Sequence, residues 1–274
     1  MATKSKLYPL VSLPRPAWAL FDRSGHLPIH GALQYTVDGQ AELSRLEFPT
    51  NTLKQAFAIR EKTKCSPKLH QIGFCQDCNI SMHVSIPMIG KTSYSIFHDL
   101  FDSATMERML HIETKLVNIN PETRRPSQLP SAFTEQYTDF KSDYPVLITD
   151  AQEDLVLPTN AFKTLIRTRY SDTDQNSHVN YSEYYRFCAD CASEASRSGY
   201  YRHYADDICR FPVLETDVTF IGESPACSNL DVYTWQDNVN VQIINFAIYL
   251  KSDRIFQAQF LYSFEKSPRI NSRF

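Results

Sequence analysis

The stretch DQNSHVNYSEYYRFCADCASEASR, from Asp174 to Arg197, carries most of what the sequence says about how this chain folds. Residues 182–197 contain no Gly or Pro, and Tyr184, Phe187, Cys188, Cys191 and Ala195 recur at i, i+3, i+4, i+7 and i+11. That spacing predicts a helix with one apolar stripe. Ser182 reads as its N-cap and Gly199 as its stop. Downstream, residues 214–221, 230–235, 239–250 and 254–264 alternate and are rich in β-branched and aromatic side chains, with polar turns between them. Residues 162–169 read as a strand upstream. One strand, one helix and then a run of strands predicts an α+β unit, an antiparallel sheet packed on a single helix.

The first half repeats this plan. A helix is expected over 32–46, with Gly39 as its weak point, followed by strands at 79–86, 92–100 and 109–119, and Pro121, Pro126 and Pro130 close the unit. Sliding the chain by 152 positions sets Asp22–Arg45 over Asp174–Arg197. The pairs Asp22/Asp174, His26/His178, Asp38/Asp190, Glu42/Glu194, Ser44/Ser196 and Arg45/Arg197 are then identical. We read a tandem duplication: an N-terminal domain over 1–135, a linker over 136–158 in which Val146-Leu147-Ile148 can pack on a domain, and a C-terminal domain over 159–274.

Composition narrows the function. The 274 residues hold 28 Lys+Arg against 31 Asp+Glu, a net charge of −3, so bulk positive charge for nucleic acid is missing. The longest apolar runs reach about half of the roughly 20 residues that a membrane-spanning helix needs. No membrane span and no nucleic-acid partner are expected. The start MATKSKLYPL lacks the apolar core of a secretory signal, and an odd count of seven cysteines fits a reducing compartment. A cytoplasmic location follows, with an organelle or the peroxisome left open by the C-terminal Ser272-Arg273-Phe274. Two CxxC pairs, Cys75/Cys78 and Cys188/Cys191, together make a formal zinc set. The second pair lies on the apolar stripe, where buried thiols are ordinary, and no metal or cofactor is expected.

The densest group of chemically able side chains lies just before the second helix, in Tyr170-Ser171-Asp172-Thr173-Asp174-Gln175-Asn176-Ser177-His178-Val179-Asn180-Tyr181. A loop entering a helix presents free N–H groups and the positive end of the dipole, which suit a developing oxyanion. Asp174 supplies a carboxylate, Asn176 a neutral donor and acceptor, and His178 a group titrating near neutrality. Capping alone also accounts for Asp, Asn and Ser ahead of a helix, and spacing does not separate the two readings.

The stretch 169–196 resembles the hotdog-fold thioesterases, whose strand-to-helix loop reads D-x-D-x-x-x-H-V-N-x-x-x-Y. The D-x-N-x-H-V-N form at Asp174, Asn176, His178, Val179 and Asn180 is most similar to the acyl-ACP thioesterases, which carry two hotdog domains in one chain. The resemblance implies a tandem hotdog, each half an antiparallel sheet wrapped on one long helix. It also implies hydrolysis of an acyl thioester, carried by acyl carrier protein or coenzyme A, to a free acid and a thiol. Asp174, Asn176 and His178 take the catalytic positions, Glu223 in Ile221-Gly222-Glu223 that of a further acid, and Val179, Asn180 and Tyr184 contact substrate. Tyr181 stands where the family has a second Asn, and Ser224 where a Cys is common.

In the first copy Ser24 faces Asn176, Pro28 faces Asn180, and Ile89-Gly90-Lys91 is set against Ile221-Gly222-Glu223, so one active site per chain is expected. A hotdog hydratase or dehydratase on acyl thioesters and a non-catalytic acyl-thioester binder are the competing readings. A homodimer, made by sheets joining edge to edge, stays open.

Overall fold

The computed structural model describes residues 11–45, 56–73, 79–137, 146–148, 153–174 and 176–267. In chain order these form β1 (Val11–Leu13), α1 (Ile29–Arg45), β2 (Ala56–Cys65), α2 (Pro67–Gln71), β3 (Ile80–Ile89), β4 (Ser93–Asp102), β5 (Arg108–Asn118) and α3 (Ser131–Tyr137). The second half supplies β6 (Phe162–Arg167), α4 (Tyr181–Arg197), β7 (Val213–Phe220), β8 (Asn229–Gln236), β9 (Ile243–Leu250) and β10 (Asp253–Tyr262). They divide into two compact units. One gathers residues 1–16, 35–66 and 77–151; the other gathers 17–34, 67–76 and 152–274. The last division thus falls inside the expected linker, and two first-half segments, 17–34 and 67–76, belong with the second unit.

In the first unit five antiparallel strands run in the order β1-β3-β4-β5-β2. Val84, His98, Ile112 and Thr63 stand side by side across β3, β4, β5 and β2. All four are buried. Burial lowers the His98 pKa to about 4, so its imidazole is neutral in this apolar row. Helix α1 passes close to β3 at Gly39, where an added Cβ would lie 2.7 Å from Met82 Cε. The residue that weakens the helix by propensity is the one that lets it approach the sheet. On the other face Asp99 and His111 pair across β4 and β5, with Oδ1 2.7 Å from Nδ1. Glu113, two residues further along β5, accepts the Leu147 and Ile148 N–H groups, so the short apolar run of the linker is held on this sheet.

In the second unit the antiparallel order is β7-β10-β9-β8-β6. The stripe Tyr184, Phe187, Cys188, Cys191 and Ala195 of α4 is buried against it. Tyr184 stacks on Phe256 at 5.3 Å, Tyr185 on Phe260 at 5.4 Å, and the Cys191 thiol reaches the Val232 carbonyl of β8. Gly199 closes the helix at φ +72°, with the Tyr200 N–H donating to the Ala195 carbonyl. At the other end Asn180, not Ser182, is the N-cap: its side-chain oxygen accepts from the Ser182 N–H at 3.1 Å.

Two strands escape the sequence reading. β2, AFAIREKTKC, carries charge at Arg60, Glu61, Lys62 and Lys64, which breaks the apolar alternation, and β1 has only three residues. β9 starts at Ile243 rather than 239, because Asp237 accepts the Val239 and Asn240 N–H groups and extends the turn. Cys75, Cys78 and residues 272–274 lie outside the described residues. Cys188 and Cys191 are buried and free, and burial pushes the Cys191 thiol up to about 12. Among the described residues no helix is long and apolar enough to cross a membrane.

Candidate active site

Strand β6 ends at Arg167, and the chain turns through a 3₁₀ segment, Tyr170–Asp172, before entering the loop that leads to α4. Asp172 is the anchor of this turn and is 5% exposed. Its carboxylate accepts the Arg169 N–H and the Arg186 guanidinium, both at 2.7 Å, and its carbonyl accepts the Asn180 N–H. Arg186, one turn into the helix from Ser182, also pairs with Glu183. The loop is therefore clamped to the helix it feeds. Sequence reading missed Asp172 and Arg186, because the pairing spans a turn whose closure no local spacing announces.

Within the loop Asp174 organises the backbone around itself. Its N–H donates to the His178 carbonyl at 2.8 Å, its carbonyl accepts the Ser177 N–H, and its Oδ1 accepts the Asn176 N–H at 2.8 Å. The turn closes with Ser177 at φ +63°, in the left-handed region. The Asn176 amide reaches Asp174 Oδ2 at 3.4 Å. From the far side, the segment after β7 closes on the loop: Val179 N–H donates to the Ser224 carbonyl, and His178 bridges Pro225. This brings Glu223 Oε2 to 3.5 Å from His178 Nε2, with both side chains about one-third exposed (36% and 28%).

The residues expected to act thus stand as two linked pairs, Asp174 with Asn176 and His178 with Glu223, ahead of the N-terminus of a 17-residue helix. The three residues expected to contact substrate have distinct settings. Asn180 is engaged in the cap and Val179 is 5% exposed. Tyr184 is 3% exposed, and burial, with the Glu223 and Asp174 carboxylates nearby, raises its hydroxyl well above the ordinary phenol range.

The same backbone pattern recurs around Asp22. Its N–H donates to the His26 carbonyl at 2.9 Å, its carbonyl accepts the Gly25 N–H, and its Oδ1 accepts the Ser24 N–H at 2.7 Å. Gly25 takes φ +78°, as Ser177 does at the matching position. His26 bridges Gly73 as His178 bridges Pro225. All of these pairs are 152 residues apart, so the match at the bridge corrects one alignment: Gln71, not Lys91, stands opposite Glu223. The Ile-Gly dipeptide that suggested Lys91 belongs to the turn after β3, where Gly90 N–H donates to the Ser93 carbonyl.

Strand order, helix placement and this loop define a hotdog fold of the α+β class. No protein-family model and no curated protein sequence matches the chain significantly. Among solved structures it is similar to a putative oleoyl thioesterase from Lactobacillus plantarum, with a TM-score of 0.74, at 12% identity over 97% of this chain and 100% of that one. An acyl-ACP thioesterase from Bacteroides thetaiotaomicron has a TM-score of 0.71, at 16% identity over 96% and 100%. A 12:0-ACP thioesterase from Umbellularia californica also has a TM-score of 0.71, at 13% identity over 91% and 95%.

Proposed function

We propose that this chain is a thioester hydrolase built of two hotdog halves, which cleaves fatty acyl thioesters to a free acid and a thiol at one site in its second half. The observation that carries the reading is the arrangement of Asp174, Asn176, His178 and Glu223 around the entrance to α4. A carboxylate–amide pair and an imidazole–carboxylate pair stand there, ahead of a helix dipole's positive end. The duplication is supported by the matching backbone hydrogen bonds around Asp22 and Asp174. Two of the similar structures are named for acyl-ACP, which favours an acyl carrier protein as donor over coenzyme A.

In this reading the helix N-terminus polarises the thioester carbonyl, and its N–H groups donate hydrogen bonds to the oxygen as negative charge builds on it. Asp174, oriented by the Asn176 N–H and amide, takes a proton from water as the new C–O bond forms. The C–S bond then breaks, and the thiolate leaves to be protonated by solvent or by His178. Glu223 orients the imidazole. Hydrolysis needs no redox step, and the residues supply the acid, base and dipole that it requires.

The first copy holds Ser24, Pro28 and Gln71 at the positions of Asn176, Asn180 and Glu223, which removes the amide, the cap and the second carboxylate. Thiol release from acyl-CoA and acyl-carrier-protein substrates, followed with a thiol reagent, tests the proposal. Wild type turns over, and Asp174→Asn and His178→Ala each lose about 100-fold or more, as expected on removing a general base or its partner. A change in enoyl absorbance without thiol release would assign a hydratase instead. Equal rates in all three proteins would remove the site.

A further inference from the structure

Two arms carry the candidate site, and an aromatic ring stands at the root of each. The loop that bears Asp174, Asn176 and His178 runs into Tyr181, the first residue of α4, and the segment that bears Glu223 leaves β7 at Phe220. Tyr181 lies one turn ahead of the buried Tyr184 and Tyr185, so it extends the apolar stripe of α4. Phe220 follows the buried Thr216 and Val218 at every second position, which turns it to the helix side of the sheet. The two rings meet edge-on with centroids 6.1 Å apart, and both are half-buried.

Behind this pair the space is filled. Phe256 lies 5.5 Å from Phe220 and stacks on Tyr184 at 5.3 Å, and the Tyr184 ring is 6.5 Å from Phe220. Tyr184 and Phe256 are both buried. Beside the pair, Ile221 is 50% exposed. A thioester carbonyl polarised by the N-terminus of α4 sets its first acyl carbons down next to that helix's first residue. Tyr181, Phe220 and Ile221 supply apolar surface there. The cavity of about 590 Å³ on the β6 side of α4 does not suit an acyl chain, because Arg167, Arg169, Arg186, Asp172, Asp190 and Glu194 line it with charge of both signs.

We propose that Tyr181 and Phe220 form the stop that limits acyl length. The first carbons of the acyl group lie against the open faces of the two rings. The contact between the rings, backed by Tyr184 and Phe256, keeps a longer chain from entering the space between α4 and β7. Each methylene that could be buried beyond the stop is worth about fourfold in kcat/KM, so a closed stop discriminates steeply. Tyr181 stands where the resembled family has the smaller Asn, so the limit belongs to this chain rather than to the motif. The inference rests on the thioesterase reading and names what part of the acyl group its site selects.

The test is the length dependence of kcat/KM over saturated acyl thioesters, lengthened two carbons at a time, in wild type, Phe220→Ala and Tyr181→Ala. The quantity read is a ratio: the acyl group two carbons longer than the wild-type optimum against that optimum, on one preparation, so that the fraction of active protein cancels. Both variants are expected to raise it about tenfold. Phe260→Leu serves as the control, since its ring meets Tyr185, Phe246 and Tyr262 but neither member of the pair. Its ratio should stay within about twofold of wild type. An unchanged ratio in a folded variant, including a uniform fall at all lengths, overturns the inference. So does an equal rise in Phe260→Leu, because that is a loosened core. Should Phe220→Ala not accumulate as folded protein, Tyr181→Ala at the helix start decides alone. Affinities for S-alkyl coenzyme A thioethers of the same lengths, with a methylene in place of the carbonyl, are measured in parallel. If wild type releases no thiol, the thioesterase reading falls, and a wild-type length dependence of these affinities in the variants overturns the stop separately.

Discussion

Asn180 joins stability to chemistry, and two substitutions there separate the two contributions. Its side-chain oxygen accepts the Ser182 N–H at 3.1 Å and lies 3.0 Å from the Ser182 hydroxyl. Asn180→Ala removes the cap, which costs about 1 kcal/mol. The Ser182 hydroxyl keeps Gln34 Oε1 at 3.1 Å, so the Ser182 N–H is the donor that loses its acceptor, and that loss is what the cap figure counts. For a unit of this size that corresponds to a fall of about 2–4 °C in the unfolding midpoint. Asn180→Asp retains an equally good cap and adds a charge that the helix dipole favours, so its stability stays within about 0.5 kcal/mol of wild type. The same charge opposes the oxyanion proposed to form at this helix end. At about 6 Å and an effective dielectric of about 40, the repulsion is about 1.4 kcal/mol, a tenfold loss in kcat. Thermal unfolding and thiol release on the same preparations measure both effects. If Asn180→Ala unfolds with wild type, the cap is not the structural element described. If Asn180→Asp hydrolyses thioesters at the wild-type rate, the helix N-terminus does not carry the carbonyl oxygen.

Two further substitutions in α1 should separate sharply in urea. A Cβ at Gly31 would lie 2.1 Å from the Leu20 carbonyl oxygen, backbone against backbone, so Gly31→Ala should cost about 3 kcal/mol or more. At Gly39 the nearest atom is the mobile end of Met82, so the helix-propensity gain of about 1 kcal/mol offsets the crowding and Gly39→Ala stays near neutral. The reverse order of midpoints would refute this packing. His70 is buried, with Nδ1 2.7 Å from the Ser267 hydroxyl, and burial, with His26 beside it, holds its pKa at about 4. Below the unfolded value near 6.5 the unfolded chain takes up the proton and the folded one does not. Stability is therefore full above about 6.5 and falls as pH drops toward 4, by about 2 kcal/mol from this group between pH 7.5 and 5. His70→Asn should remove that part of the pH slope in denaturant titrations; an unchanged slope would show that the imidazole is charged in the fold.

The elements that were legible in the sequence are those whose period is unambiguous. The stripe of α4 runs Tyr184, Phe187, Cys188, Cys191, Ala195, and each of these residues is buried where the 3.6-residue period places it. The strands of the second half follow the same logic. β2 was not legible, because Arg60, Glu61, Lys62 and Lys64 interrupt the apolar alternation; Glu61 is nonetheless fully buried, accepting the Thr114 hydroxyl at 2.7 Å. Charge in a sequence reads as surface, and a strand that pairs its charge internally defeats that inference. The cap shows a second kind of blindness. Asn and Ser are both good caps, and only the backbone of Asn180, at φ −59° and ψ 139°, decides between residues two apart. At the candidate site the Asp174 loop could be read locally. The approach of Glu223 to His178 could not, since it depends on how the segment after β7 returns to the loop.

The duplicated loop also bears on how much a motif proves. Asp22 and Asp174 bind the same three backbone groups at matching positions, so the aspartate closes this turn and the residue four positions on supplies only its backbone carbonyl. The turn by itself is therefore no evidence of catalysis. The two copies differ in what surrounds the imidazole. His26 is 1% exposed and stacked on His70. His178 is one-third exposed, with a carboxylate at 3.5 Å. Gln71 and Pro28 complete the contrast, since neither supplies what Glu223 and Asn180 do. The case for chemistry in the second copy thus rests on the residues that the turn does not require: Asn176, Glu223 and the cap Asn180. Changing Asp174 alone tests both the turn and the reaction, whereas a loss of activity in a Glu223 or Asn176 variant that folds normally can come only from the reaction.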